Sequence, residues 1–187
     1  MNRYYASSPR AGGTLAVLLI AFIAVFAAAS QLSATPLLTP LGEKEEAQIR
    51  QKHWDLNKRS LALEGYDPVS YFEEEKPEKG AKAITATHQG VTYRFANEGN
   101  KKKFLEAPAK YEPAYGGWCA YAVVKGGKTS PDPKHYKIVD ERLLLFYDAW
   151  GTDTLDLWNE WIAEGTPETE LLATADKKWT SITREGS

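Results

Sequence analysis

YEPAYGGWCAYAVV, residues 111–124, contains the only cysteine of the chain, Cys119, beside a Gly116–Gly117 pair and four aromatic side chains, Tyr111, Tyr115, Trp118 and Tyr121. The glycine pair lets the backbone turn sharply, because no Cβ opposes a left-handed conformation. Beyond it, strand alternation places Trp118, Ala120, Ala122 and Val124 on one face and Cys119, Tyr121 and Val123 on the other. Both faces are apolar, which predicts a central strand buried on both sides.

Two hairpins flank this stretch. Residues 84–95 alternate about Gln89–Gly90, so Ile84, Ala86 and His88 face the same way as Val91, Tyr93 and Phe95. Residues 136–147 repeat the pattern about Asp140–Glu141, with His135 at the entrance. Leu61–Phe72 reads as a strand that breaks at Asp67–Pro68, and Glu73–Lys82 as a charged loop. Helices are predicted over Glu43–Asn57, after an Asn97 cap with Phe104 and Leu105 pointing inward, after Thr152 or Asp153, and after Thr166–Pro167. The fold class is therefore α+β: a small antiparallel sheet of two hairpins plus a central strand, with helices packed on it.

The N-terminus differs in kind. Arg3 and Arg10 precede an apolar run from Thr14 to Ala29, followed by Ser30. A basic start, an apolar core and small residues at the end predict a secretory signal over 1–30. The alternative is an uncleaved anchor, although the run is short for a membrane span. Residues 31–42 read as a linker and 43–187 as one domain. The expected location is periplasmic or secreted, or anchored in the inner membrane and facing the periplasm. Contact with a membrane is expected only through the N-terminal segment, if it is retained. The net charge of −2 supplies no basic field, which excludes nucleic acid as a partner. Nothing in the sequence names a protein partner.

The sequence contains no phosphate-binding glycine loop, no H-E-x-x-H, no G-x-S-x-G and no C-x-x-C, so a non-catalytic module binding a metal ion or small ligand near Cys119 is expected. The alternatives are a structural or protein-interaction domain with Cys119 buried, and a thiol-dependent enzyme. Cys119 has three readings: a small buried residue, a metal ligand, or a reactive thiol. As a ligand it would act with His88, His135 or a nearby Asp, a thiolate–imidazole set suited to copper or zinc. Tyr115, Trp118 and Tyr121 are the candidate ligand-binding aromatics. His53 reads as a solvated or half-packed helix residue, and Asp67 as a turn residue rather than a ligand.

LALEGYDPVSYF (61–72), GVTYRFANEGNKKKFLEAPAKYEPAYGGWCAYAV (90–123) and YKIVD (136–140) together resemble the YHS-domain family. The similarity is closer to the exported bacterial branch with a G-G-aromatic-C-A-Y-A segment, and it covers residues 61–147. The resemblance implies a small α+β fold and metal binding. Members found in heavy-metal transport proteins carry thiols at three positions that are Ser70, Ala96 and Asn100 here. Cys119 is then the thiol left for such a site. Glu141 stands where the branch has glycine; a turn needing positive φ there would cost about 1 kcal/mol.

Overall fold

A computed structural model describes residues 42–74 and 76–184; the predicted leader and nearly all of the linker lie outside them. The fold is α+β, as expected, with three separate two-stranded antiparallel ladders. Helix α1 (Glu43–His53) opens the described chain, with acids in its first turn and Arg50, Lys52 and His53 in its last, as the helix dipole favours. Short helix α2 (Ser70–Glu73) follows, then strands β1 (Ala81–His88) and β2 (Val91–Phe95), helix α3 (Glu98–Glu106) and the single turn α4 (Pro108–Tyr111). Helix α5 (Ala120–Val124) leads to β3 (Asp132–Val139) and β4 (Arg142–Phe146), then the two-residue strands β5 (Asp148–Ala149) and β6 (Thr152–Asp153). Helices α6 (Thr154–Ala163) and α7 (Glu168–Arg184) complete it.

Both predicted hairpins form in the expected register. His88 lies opposite Val91 and Ala86 opposite Tyr93, closed by Gln89 (φ 44°) and Gly90 (φ 80°). Val139 lies opposite Arg142, closed by Asp140 (φ 48°) and Glu141 (φ 59°). Two consecutive positive φ values make each turn the type that matches strand twist. Glu141 does occupy the left-handed region that favours glycine.

The central strand is not where the sequence placed it. Residues 120–124 form helix α5, and the strand buried on both faces is β4. Leu143 and Leu145 enter one core with Tyr93, Phe95, Phe104 and Tyr111. Leu144 and Phe146 enter a second core with Val123, Trp158, Leu171 and Ala175. The segment before α5 runs parallel to β4 and touches it through single bridges, Pro113 to Leu143 and Cys119 to Leu145. AYAVV is short and apolar all round, so periodicity alone does not separate a buried strand from a buried helical turn.

Residues 61–72 are also not a strand. Leu61 makes one bridge to Thr92, and the chain then turns through Leu63, Glu64 and Gly65, all at positive φ. Asp67–Pro68 does make a turn, with Asp67 Oδ1 accepting the Val69 N–H at 2.9 Å, and that turn leads into helix α2. Leu105 is 53% exposed instead of inward, since α3 turns the face of Asn100 and Phe104 to the core. His53 is buried rather than solvated.

The glycine pair is fixed by a close approach. Gly116 (φ 61°) gives its carbonyl to the Asp55 N–H at 2.9 Å, and a Cβ there would lie 2.7 Å from the Trp54 ring. The ring in turn carries Arg50 at 4.5 Å, and Arg50 pairs with Glu112 at 2.7 Å, so α1 docks through Trp54. Gly151 has a similar φ of 77° but open space around it. Gly116→Ala should therefore lose about 2–4 kcal/mol in urea denaturation and Gly151→Ala only about 1. Equal losses would mean that the Trp54 contact contributes nothing.

Candidate functional site

Cys119 is 0% exposed. Its Sγ lies 3.3 Å from Thr154 Oγ1. That hydroxyl already donates to the Tyr147 carbonyl at 2.9 Å and accepts the Tyr147 N–H at 2.8 Å. A hydroxyl has one proton, so the thiol is the donor to Thr154. The Cys119 N–H is spent on the Thr129 carbonyl at 3.0 Å. The thiol is buried beside β4, and with Thr154, Tyr121, Lys125, Lys128 and Tyr147 it lines a recess of about 480 Å³.

The three candidate aromatics have separate partners. Tyr115 is buried and directs its hydroxyl at Asp176 Oδ1 (3.2 Å), and burial raises its pKa well above the ordinary phenol value. Trp118 Nε1 donates to the His53 carbonyl at 2.6 Å, tying the segment before α5 to the end of α1. Tyr121 stacks on Trp161 with ring centroids 4.4 Å apart. Each docks a helix, and they do not converge on one pocket.

Among the described residues, Cys119, His88 and His135 are not brought together as a ligand set. His88 sits on the β1 edge, its ring edge-on to Phe104 at 6.3 Å. His135 instead meets carboxylates. Its Nε2 is 3.2 Å from Asp148 Oδ2 and 3.4 Å from Asp153 Oδ2. One ligand atom from each of Asp132, His135 and Asp148 lies within 4.8 Å of the others. The other ring nitrogen, Nδ1, is buried without a hydrogen-bond partner among the described residues. Packing rather than a second hydrogen bond therefore orients the ring, and Nε2 is its working edge.

These acids were not singled out from the sequence. Asp148 and Asp153 are register partners across the β5–β6 ladder. The signal was present: two aspartates placed symmetrically about Trp150–Gly151, and Asp132 three residues before His135. A tryptophan at positive φ (55°) is an uncommon first turn residue, and it hid that hairpin.

A second constellation is closed. Asp67 is fully buried and has no ion-pair partner among the described residues. Its Oδ1 accepts Val69 N–H, and its Oδ2 accepts Ala96 N–H at 2.8 Å and Asn100 Nδ2 at 2.7 Å. Ser70 Oγ donates to the Asp67 carbonyl at 2.7 Å. Ser70, Ala96 and Asn100 thus meet at one residue: Ala96 and Asn100 at the Asp67 carboxylate and Ser70 at its main-chain carbonyl.

Comparison of the chain with protein-family models, with curated proteins and with solved structures returned no match.

Removing the Asp67 carboxylate leaves three donors without an acceptor, at about 1–3 kcal/mol each when buried. Asp67→Ala should cost at least about 3 kcal/mol in denaturant titration. A loss under about 1 kcal/mol would show that water replaces it.

Proposed function

We propose that this chain is an exported, non-catalytic module with a YHS-like core, serving as a structural or protein-interaction domain in which Cys119 is a core thiol. The observation that carries it is the convergence of Ser70, Ala96 and Asn100 on Asp67. These are the positions that the resemblance pairs with thiols. Here they form a hydrogen-bonded knot of neutral groups around Asp67, with Ala96 and Asn100 on its carboxylate and Ser70 on its carbonyl, which offers no soft ligand to a transported metal. Cys119 supports the same reading from the other core, as a buried S–H donor.

Export rests on the pattern of Arg3, Arg10 and the apolar run 14–29. Among the described residues no helix is long and apolar enough to cross a membrane. A partner surface has one conspicuous element: Trp150, 97% exposed at the tip of the β5–β6 hairpin. Exposed tryptophan is enriched at interface hot spots.

Reaction with a maleimide tests the role of Cys119. Labelling is expected only after denaturation, and Cys119→Ser should lower the melting temperature without other effect. Rapid labelling of the native protein would overturn the core-thiol assignment. Expression with the native N-terminus tests export. The protein should appear in the periplasmic or culture fraction, or membrane-bound and accessible from the periplasm; retention in the cytosol would overturn it.

A further inference from the structure

The structure assigns a divalent metal site to His135, Asp132 and Asp148, with Asp153 at its edge, independent of Cys119 and of the Asp67 knot.

Three observations converge there. The first is spacing. A tetrahedral metal with bonds of about 2.0–2.1 Å holds its ligand atoms about 3.3–3.4 Å apart. His135 Nε2 lies 3.2 Å from Asp148 Oδ2 and 3.4 Å from Asp153 Oδ2, already close to that separation. Asp132 offers an oxygen within 4.8 Å of the other two ligand atoms of the trio. Small side-chain rotations would bring it in, since its Oδ1 is held only by the Lys134 N–H at 2.8 Å.

The second is charge. Three other carboxylates that reach across the fold are matched by a cation: Glu112 by Arg50, Glu168 by Lys137 and Asp176 by Arg142. Asp132, Asp148 and Asp153 have no Lys or Arg ion pair among the described residues. One imidazolium could offset one of three negative charges at most. A dication held by the neutral imidazole offsets two of the three, and it also screens the repulsion between Asp148 and Asp153 about a single Nε2.

The third is rigidity with access. Asp153 is anchored as the α6 cap, its Oδ1 accepting Leu155 N–H at 2.8 Å and Asp156 N–H at 3.2 Å, which leaves Oδ2 directed at His135. Asp148 is held opposite it by the β5–β6 pairing. A recess of about 360 Å³, lined by Glu64, Asp132, Lys134, Tyr147 and Asp148, opens beside the trio and gives an ion a way in. One imidazole with two or three carboxylates suits a borderline divalent ion of the zinc class better than a soft copper(I) ion.

The test uses the full chain, free of a histidine tag and stripped with chelator, titrated with Zn²⁺ by calorimetry and with Co²⁺ by visible absorption. One equivalent should bind, with tetrahedral Co²⁺ bands and no sulfur charge-transfer band. His135→Gln and Asp148→Asn should each weaken binding at least about tenfold, the lower end of what supporting residues alone cost. Cys119→Ser, His53→Gln and His88→Gln should leave it unchanged. If His135→Gln fails to fold by circular dichroism, the half-buried Asp132→Asn must show the loss. No saturable binding up to about 1 mM would overturn the assignment and leave His135 a plain hydrogen-bond donor to its aspartates. Binding indifferent to His135 and Asp148, or dependent on Cys119 or His88, would also overturn it.

Discussion

Strand β4 is the constraint on which the rest depends. Its residues Leu143 to Phe146 are buried on both faces, and successive side chains enter different cores. A strand so placed must have every neighbour in register, because a slip of one residue would exchange the two cores. β3 supplies one edge through backbone pairing. Pro113 to Cys119 supplies the other, in parallel, through isolated bridges. The stretch that looks like a functional segment in sequence is therefore the lining of this wall. Its cysteine is buried because its backbone must lie beside Leu145.

The two ends of the wall serve different purposes. The hairpin end at Asp140–Glu141 leads to Arg142, which pairs with Asp176 on α7 and lies 5.2 Å over the Tyr115 ring. The opposite end carries Tyr147, Thr154 and the β5–β6 hairpin. There Thr154 links Cys119 to the Tyr147 backbone, and its neighbour Asp153 reaches His135. The buried thiol and the acidic cluster are thus joined through the neighbours Thr154 and Asp153 but opposite in character. One is buried and hydrogen-bonded; the other is open and carries unbalanced negative charge. The first stabilises the core, and the second is where chemistry with solvent ions is available.

The hairpins were legible in the sequence because their turns and their alternation agree. Gln89–Gly90 and Asp140–Glu141 both sit between strands whose apolar faces match. The caps at Asn97 and Asp153 were legible for the same reason, with local side-chain chemistry and helix start coinciding. Residues 118–124 and 143–146 were not distinguishable, since both are short apolar runs. Only the long-range packing of Trp158, Leu171 and Ala175 decides which one is the strand. The site was half legible. His135 was a candidate, and the partners foreseen were a thiol with a second histidine or a nearby, unnamed Asp. Asp132 opens β3, but Asp148 and Asp153 come from a small third hairpin whose turn carries tryptophan where asparagine or glycine would have announced it.

Native-state hydrogen exchange tests the shared wall most directly. If β4 is held from both cores, the β4 amides that pair with β3 exchange only through global unfolding, at the highest protection in the molecule. The Cys119 amide, donated to Thr129 beside it, should exchange with them. Exchange of these amides at a free energy well below that of the α7 interior would contradict it, and would mean that the two cores open independently across β4.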